Sequence, residues 1–420
     1  MEGTLSGYDT RGFWEKAFEW IHEEFLPLAK VRDAPLWKEM MMRQTLAGQR
    51  SLGTTDGECK NTPSAKSMQI PQLSSRDGYG RRKALWRGLA LGTWLAAASW
   101  ARADDQRFVF EKAEMGVPFR ITLYAADAET AKTASDAAFQ RVEELNSILS
   151  DYDSDSEISR LSRTSGSGKP VPISRDLWRV LERSQEIAEK TGGAFDVTIG
   201  PLVNLWRRMR AKREMPMPEI IAEMRQRVGY RRLRLDPQAH TAELLAPDMR
   251  LDVGGIAKGY ASDQAIAALA QRGVTRALAA ASGDIVAGDP PPGEKGWKVE
   301  IEALAVPGAP PPQTVLLAHQ GVSTSGDAYQ FVEIEGQRYS HIIDPSTGVG
   351  LTSRSMVTVV APDGLTADGW DTPIEIIGAE RGVPLIEALP GAAMRMVRER
   401  DGKVEVVESK GWPGLNQMNK

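Results

Sequence analysis

Apolar residues recur every three or four positions in three long segments, and this spacing predicts three amphipathic helices. The clearest helix covers residues 128–149, where the apolar stripe is formed by Ala134, Ala138, Val142, Leu145 and Leu149. A second helix is predicted at residues 176–190, and the pair Gly192-Gly193 would end it. A third is predicted at residues 256–271. Each of these helices would have one apolar face to bury against the rest of the fold.

Strand-like segments lie between and after the helices, mostly in pairs joined by short turns. The predicted pairs are residues 233–235 with 242–245, 297–301 with 314–318, 331–334 with 338–343, and 393–398 with 404–408, and a further strand is predicted at 356–360. Two of the pairs carry the hairpin turn signals Glu335-Gly336 and Asp401-Gly402. Because hairpins join antiparallel neighbours, we predict a single α+β domain over residues 104–420, with helices flanking a mostly antiparallel sheet.

The segment before this domain has the layout of a signal peptide. In residues 81–103, Arg81-Arg82-Lys83 precedes a short uncharged run, and the segment ends in the cleavage signal Ala101-Arg102-Ala103. We therefore expect an exported protein, in the periplasm or at the periplasmic face of the inner membrane. The paired arginines leave two routes open, general secretion and the twin-arginine pathway. A buried helix of the folded domain is the alternative interpretation of this segment.

Residues 1–80 resemble no part of the domain and are predicted to be a disordered extension, because residues 52–77 are polar and contain Gly, Ser, Thr and Pro. A start codon assigned too early is a second explanation, with Met68 as the candidate start.

Charge and cysteine content exclude several functional classes. The chain has 52 Lys and Arg residues against 56 Asp and Glu residues, so it has no basic surplus that would indicate binding to nucleic acid. Cys59 is the single cysteine, which rules out an internal disulfide and a zinc site built from cysteines.

Three motifs in the second half of the chain contain the candidate chemistry. Residues 251–260 read LDVGGIAKGY, residues 340–348 read SHIIDPSTG, and residues 367–372 read ADGWDT. In the last motif Asp368 and Thr372 are four positions apart, so one helical turn would place a carboxylate and a hydroxyl on the same face. Both groups are hard oxygen donors, which suit Mg²⁺.

Pro373 directly follows this pair. It has no N–H to donate to the carbonyl of Gly369, so a loose or kinked first helical turn is expected there.

In this order the three motifs resemble the ApbE family of FAD:protein FMN transferases, and the resemblance extends from about Phe108 to the last predicted strand. It implies an ApbE-type (T-fold-like) flavin transferase fold, with Mg²⁺ as cofactor and FAD as substrate. A member of this family would transfer FMN to a Thr or Ser side chain of an acceptor flavoprotein and release AMP. The resemblance points to a flavin subunit of a redox complex, or a regulator of nitrous oxide reduction, as the acceptor.

The resemblance also assigns the metal site and part of the FAD site. It implies that Asp368, Thr372 and the backbone carbonyl of Gly255 hold Mg²⁺, and that Asp252 and Lys258 contact FAD. Gly254-Gly255 at a predicted helix start suits this role on physical grounds, because glycines let the backbone approach a ligand and free N–H groups attract phosphate.

His341 is one of four histidines in the chain. By resemblance it is the base that activates the acceptor hydroxyl, and the ordinary pKa of histidine suits that role. A satisfied structural histidine is the alternative. Ile343, two residues further on, is expected to contact the flavin by the same resemblance.

Three further segments match the FAD pocket of the family. Met115 should touch the flavin, and Tyr152 is the expected aromatic partner for a planar ring. In the segment GAFDVTIGPLV, Ala194, Phe195 and Asp196 should line the pocket. Ordinary core packing is the alternative for Tyr152 and Phe195.

Two other functions remain open at this point. An enzyme of the same fold could use water as the acceptor and act as an FAD pyrophosphatase that releases FMN and AMP. A non-catalytic flavin carrier, or an assembly factor for a periplasmic reductase, is a different class of protein. The presence of both His341 and Asp368 favours the transferase.

Overall fold

A computed structural model describes residues 105–326 and 330–412, and the predicted extension 1–80 and signal peptide 81–103 lie outside them. The helices in these residues are α1 (Ala128–Leu149), α2 (Glu157–Ser162), α3 (Arg175–Thr191), α4 (Gly200–Lys212), α5 (Pro218–Arg225), α6 (Ala257–Gln271), α7 (Gly364–Ile377) and α8 (Ala379–Glu387). No helix in this part of the chain is long and apolar enough to cross a membrane.

The strands are more numerous than the helices and shorter. They are β1 (Gln106–Glu114), β2 (Val117–Ala125), β3 (Val171–Pro172), β4 (Leu233–Asp236), β5 (Thr241–Leu244), β6 (Ala277–Ala281), β7 (Asp284–Ala287), β8 (Trp297–Ile301), β9 (Gln313–Leu317), β10 (Gln320–Gly326), β11 (Phe331–Ile334), β12 (Gln337–Ser340), β13 (Ile343–Asp344), β14 (Val349–Gly350), β15 (Arg354–Ala361), β16 (Ala393–Arg400) and β17 (Lys403–Glu408).

The central sheet has eight strands in the order β1-β2-β6-β7-β10-β15-β16-β17, and every neighbouring pair is antiparallel. The other described strands form four small sheets, namely β3-β5-β4, β8-β9, β11-β12 and β13-β14. This arrangement confirms the predicted α+β fold with a mostly antiparallel sheet.

Different elements cover the two faces of the central sheet. The helices α1, α6 and α7 pack on one face, where alternate residues of β2 and β6 such as Ile121 and Ala279 join the main core. On the other face, Val322, Val360 and Val397 pack with the β8–β9 hairpin in a second apolar cluster. Strand side chains alternate between faces, so β2, β6, β15, β16 and β17 each supply residues to both clusters.

A third apolar cluster joins α4 and α5 to the strands that carry the His341 motif. Its buried members are Leu202, Leu205, Trp206, Ile221, Val332, Ile334 and Ile343. Trp206 also donates a hydrogen bond from Nε1 to the carbonyl of Gly348, at 2.7 Å. The His341 motif is therefore fixed to α4 by both packing and a buried hydrogen bond.

Most predicted elements are present, with ends shifted by one or two residues. The helix at 128–149 and the strands at 297–301 and 331–334 agree with the structure at both ends. Local signals explain the helix ends. Asp127 caps α1 by accepting a hydrogen bond from the amide of Thr130, and Gly192 ends α3 with a φ of 69°.

The predicted strand at 338–343 is wrong as a continuous element. The structure divides it into β12 and β13, and His341 and Ile342 lie between them. The break occurs because the partners change: Tyr339 pairs with Val332 of β11, whereas Ile343 pairs with Gly350 of β14.

The expectation of a loose first turn around Pro373 is also corrected. Helix α7 begins at Gly364, with Asp363 as its cap, and continues through Pro373 to Ile377. Asp368 therefore lies in the second turn, and the proline interrupts the hydrogen bonding in the later half of a helix that neighbouring elements hold in place.

Candidate active site

Three carboxylates meet where α7 crosses the central sheet. Asp284, Asp368 and Asp371 each offer one oxygen, and these oxygens lie within 4.8 Å of one another. All three side chains belong to buried residues. Such crowding is costly for ionised groups unless a cation accompanies them.

Local structure explains how each carboxylate reaches this point. Asp368 and Asp371 are three residues apart on α7, so both project from one side of the helix. Asp284 is the first residue of β7, directly after the Ser282-Gly283 turn that follows β6. The amide of Gly259 in α6 donates to Asp368 Oδ2 at 2.8 Å and holds this carboxylate in place.

Lys258 and Ser323 complete the cluster. Lys258 Nζ is ion-paired with Asp284 Oδ2 and lies 4.0 Å from Asp368 Oδ1. Ser323 of β10 donates from its hydroxyl towards Asp371 Oδ2 at 2.6 Å, and the same hydroxyl contacts Asp284 Oδ1. One ammonium thus faces three carboxylates, which leaves a surplus of negative charge.

This surplus changes the pKa values of the cluster. Burial, followed by the charge of Asp284, raises the pKa of Asp368 to about 7. Burial and the charges of Asp368 and Asp284 raise the pKa of Asp371 well above its usual range. Burial alone would lower the pKa of Lys258, but Asp284 and Asp368 outweigh it and raise this pKa. Binding of a proton or a cation at this cluster is therefore favourable in the folded protein.

The predicted metal ligands lie beside this cluster. Thr372 Oγ1 lies 3.3 Å from Ser325 Oγ of β10 and 3.1 Å from Asp371 Oδ1. A Cβ on Gly255 would lie 3.8 Å from Thr372 Oγ1 and 3.5 Å from Phe195 Cε2. The structure thus brings Gly255 close to Thr372. Thr372 in turn contacts Asp371, which belongs to the same acidic cluster as Asp368.

A hard divalent cation fits these groups. Carboxylate, hydroxyl and backbone carbonyl oxygens are the donors that Mg²⁺ and Ca²⁺ take, and the cluster found in the described residues consists of aspartates. The three buried carboxylates exceed their single lysine partner, so a bound cation would also offset the charge.

A second polar cluster surrounds Asp252, a predicted FAD contact. Asp252 Oδ1 accepts from the amide of Gly254 at 2.9 Å, and Oδ2 accepts from Arg207 Nη2 at 3.2 Å. Arg207 also donates from Nη1 to Asp151 Oδ2 at 2.6 Å, and its guanidinium lies 4.1 Å from the centre of the Tyr152 ring. Tyr152 is 71% exposed, so its ring is accessible to a planar ligand.

The other predicted pocket residues lie in two turns. Met115 has a φ of 52° in the β1–β2 turn and is partly buried against the main core. Ala194 and Phe195 precede Asp196, whose carboxylate accepts from the amides of Thr198 and Tyr230, both at 2.8 Å. One carboxylate oxygen of Asp196 is therefore engaged by its own loop and the other by the segment after α5, and among residues 194–196 it is Phe195 that reaches Gly255.

His341 is exposed in the loop between β12 and β13. Its backbone amide donates to the carbonyl of Gln330 at 3.0 Å, and its Nδ1 lies 3.2 Å from the same oxygen. Gln330 follows Ser325 by five residues, which span at most about 18 Å of extended chain. Since Ser325 contacts Thr372, Gln330 links the loop of His341 along the chain to the end of β10 that lies against a predicted metal ligand.

Ile343 differs from the other predicted flavin contacts. Its side chain is 5% exposed and packs in the third apolar cluster with Trp206 and Val332. Its contribution to a ligand site would come through the backbone or through support of the loop beside it.

Sequence reasoning missed Asp284, Asp371 and Arg207, whereas the segment that begins at Ser323 is expected from the sequence to line the same cleft. Asp371 could have been found, because it stands three positions after Asp368 in the same motif. Asp284 carries no comparable signal. It becomes a neighbour of Ser323 only through the pairing of β7 with β10, in which Val322 lies opposite Ile285.

The fold and this site together define a class of protein, the flavin transferases. The flavin transferase ApbE from Vibrio cholerae matches with a TM-score of 0.65 and 28% identity, covering 74% of this chain and 99% of that one. The apo flavinyl transferase ApbE from Pseudomonas stutzeri matches with a TM-score of 0.65 and 29% identity, covering 74% and 97%.

The chain belongs to the ApbE family, whose model matches residues 115–396. The FAD:protein FMN transferase of Klebsiella pneumoniae (strain 342) is 30% identical over 299 residues, covering 70% of this chain and 85% of the relative. The enzyme of the same name from Haemophilus influenzae is 32% identical over 269 residues, covering 63% and 78%. The family predicted from the three motifs is confirmed.

Proposed function

We propose that this chain is an exported, Mg²⁺-dependent enzyme that transfers FMN from FAD to a Thr or Ser side chain of an acceptor flavoprotein. The enzyme class, FAD:protein FMN transferase, was predicted from the sequence and is confirmed by the family and by the names of the relatives. The metal, the roles of single residues, the acceptor and the location are our inference.

The observation that supports the metal and its position is the buried cluster of Asp284, Asp368 and Asp371. Next to it stands the Gly254-Gly255 turn at the start of α6, where backbone groups can approach a phosphate closely. Asp368, Thr372 and the carbonyl of Gly255 would hold Mg²⁺, which would offset the charge that develops on the pyrophosphate. Asp284 and Asp371 would add to the negative field that attracts the cation.

The chain's own residues then account for the transfer. The acceptor hydroxyl oxygen attacks the phosphorus of the FMN half, the bond from that phosphorus to the bridging oxygen breaks, and AMP leaves with that oxygen. His341 would take the hydroxyl proton, because an exposed histidine near pH 7 can accept it. Lys258 would move between its present carboxylate partners and the phosphates of FAD.

Product analysis distinguishes this proposal from its rivals. The full chain is incubated with FAD, Mg²⁺ and a candidate acceptor, and both proteins and small molecules are weighed by mass spectrometry. We expect a gain of one FMN on the acceptor together with release of AMP. Free FMN and AMP without a modified acceptor would indicate the pyrophosphatase, and intact FAD would indicate the carrier.

Export is supported by the sequence of residues 81–103 alone. Cleavage after Ala103 would make Asp104 the first residue of the mature protein. N-terminal sequencing of protein recovered from the periplasm tests this proposal. A cytoplasmic protein that still carries residues 1–80 would refute it, together with the suggestion of a start at Met68.

A further inference from the structure

Arg207 connects three side chains of the proposed FAD pocket. From α4 its guanidinium donates to Asp151 and Asp252 through two different nitrogens, and its central carbon lies over the Tyr152 ring, 4.1 Å from the ring centre. These contacts use the planar, forked geometry of arginine, which the compact ammonium of lysine cannot reproduce. None of the three motifs contains Arg207.

Arg207 separates two carboxylates that would otherwise repel each other. The side chains of Asp151 and Asp252 are each 9% exposed, and that of Arg207 is 30% exposed. Burial, and then the charge of Asp151, raises the pKa of Asp252, whereas Arg207 lowers it. Arginine stays protonated at all ordinary pH values, so its positive charge persists between the two carboxylates.

The position of Arg207 is fixed by backbone contacts at the start of α4. The amide of Gly200 donates to the carbonyl of Arg250 at 3.2 Å, and the amide of Asp252 donates to the carbonyl of Val197 at 2.8 Å. The segment that leads into α4 is therefore joined to the strand-like segment that carries Asp252. Arg207 follows Gly200 by about two helical turns.

Arg207 contacts residues of two parts of the proposed pocket, the glycine turn and the Tyr152 ring. Through Asp252, whose Oδ1 accepts from the amide of Gly254, Arg207 supports the glycine turn that brings Gly255 next to Thr372. Through its stacking contact, it orients the exposed ring of Tyr152. A guanidinium held over a tyrosine ring fixes the plane in which that ring meets a flat ligand.

We propose that Arg207 is a positioning residue for FAD, which holds the Tyr152 ring and the Asp252–Gly255 turn in the arrangement that binds the dinucleotide. This inference rests on the proposed function, because it takes Tyr152 and Asp252 as FAD contacts. Arg207 itself acts on the substrate through these two residues.

The test uses the full chain, with FAD affinity, steady-state kinetics and thermal unfolding measured on the same preparations. For Arg207→Lys and Arg207→Met we expect the Kd and KM for FAD to rise about tenfold, the size of a lost stacking contact and charged hydrogen bond together. The kcat should stay within about threefold, because contacts equal in ground and transition states affect KM alone. Arg208 is the matched control: it is the exposed neighbour on α4, and Arg208→Lys and Arg208→Met should leave FAD affinity unchanged.

A further variant separates positioning from stability. Arg207→Met leaves two buried carboxylates without their cation, so the protein should melt at a lower temperature. Adding Asp151→Asn removes one of these charges and should bring the melting temperature back towards that of the parent. The weakened FAD binding should remain. If FAD affinity recovers together with the melting temperature, Arg207 has a purely structural role and the inference is wrong.

Single substitutions of Tyr152 and Asp252 distinguish a failure of the role of Arg207 from a failure of the proposed FAD pocket. Tyr152→Ala and Asp252→Asn should each weaken FAD binding, and combining Tyr152→Ala with Arg207→Met should weaken it by less than the product of the two single effects. If these two variants bind FAD poorly while the Arg207 variants bind it like the parent, the inference alone fails. If Tyr152→Ala and Asp252→Asn both bind FAD like the parent, the proposed pocket is misplaced and the inference fails with it.

Discussion

Gly259 of α6 and Gly364 of α7 face each other so closely that neither position has room for a side chain. A Cβ on Gly259 would lie 2.1 Å from the carbonyl oxygen of Gly364, and a Cβ on Gly364 would lie 2.5 Å from the carbonyl oxygen of Gly259. This approach of two helix backbones brings the amide of Gly259 to Asp368 Oδ2. The two glycines therefore fix the position of the Asp368 carboxylate, the proposed metal ligand, as well as the packing of the two helices.

The first prediction follows from this contact. Gly259→Ala would force α6 and α7 apart, because the new Cβ meets backbone atoms that cannot rotate away. We expect a loss of at least about 2 kcal/mol in the free energy of unfolding, within the range seen for overpacked cores, together with loss of FMN transfer. Urea unfolding measures the first effect and product analysis the second.

Gly336→Ala is the control for the first prediction. A Cβ on Gly336 meets nothing within 4 Å, so the cost is limited to its left-handed backbone, with φ at 79°, which is about 1 kcal/mol. Equal stability losses at the two positions would show that the α6–α7 contact tolerates a side chain.

The second prediction concerns the metal. Mg²⁺ should raise the melting temperature of the parent, since a ligand that binds only the folded state at about 100 times its Kd adds about 2.7 kcal/mol. Asp368→Asn should abolish this rise as well as FMN transfer, because the substitution removes a charged ligand while keeping the shape. Without Mg²⁺ the variant should be at least as stable as the parent, since one of three crowded carboxylates is neutral.

Asp401→Asn controls for the loss of a charge. Asp401 is exposed in the β16–β17 turn, where asparagine accepts the same backbone conformation, so its response to Mg²⁺ should equal that of the parent. A parent whose melting temperature is insensitive to Mg²⁺ would contradict the metal site.

Features with a local signal could be predicted from the sequence, whereas tertiary contacts of the site could not. Helix α1 could be predicted at both ends because its stripe and its Asp127 cap are local signals. Asp368 and Thr372 could be found because one helix carries both. Asp284, however, lies beside them only because β7 stands between β6 and β10 in the sheet. Arg207 contacts Asp252 because backbone hydrogen bonds of Val197 and Gly200 join the start of α4 to the segment that carries Asp252. Such tertiary contacts have no periodicity along the chain.

The break between β12 and β13 illustrates the same limit. Residues 338–343 contain the β-branched and aromatic residues of a strand, and local propensity favours a continuous element. The separate partners of Tyr339 and Ile343 interrupt it and leave His341 in an exposed loop. Exposure of the candidate base thus depends on pairing with β11 and β14.

The third prediction concerns pH. Asp263 of α6 accepts from the amides of Gly364 and Leu365, at 2.7 and 2.8 Å, and faces Asp363 and Arg179. Burial raises its pKa to about 7, although the two amides and Arg179 act in the opposite direction. In the unfolded chain this aspartate would titrate near 3.8. Between these values the folded state binds more protons, so the contribution of Asp263 to stability is lost as the pH rises.

Urea unfolding of the parent and of Asp263→Asn from pH 4 to pH 8 measures this contribution. The parent's free energy of unfolding should fall relative to that of the variant by up to about 1 kcal/mol per pH unit, and the difference should level off above pH 7. A difference that is constant from pH 4 to pH 7 would show that the two amide hydrogen bonds outweigh burial and that the pKa of Asp263 is ordinary.

The last prediction separates a catalytic role of His341 from a structural one. His341 is exposed, and its amide and Nδ1 both contact the carbonyl of Gln330. A base that takes the proton of an acceptor hydroxyl matters for transfer but little for holding FAD. His341→Asn should therefore keep FAD affinity and the melting temperature near those of the parent, while FMN transfer to a Thr acceptor falls by about 10²–10⁴-fold. His319→Asn, at another exposed histidine, should transfer FMN normally. Transfer that survives within a few-fold while the melting temperature drops would show that His341 supports the loop and that another group accepts the proton.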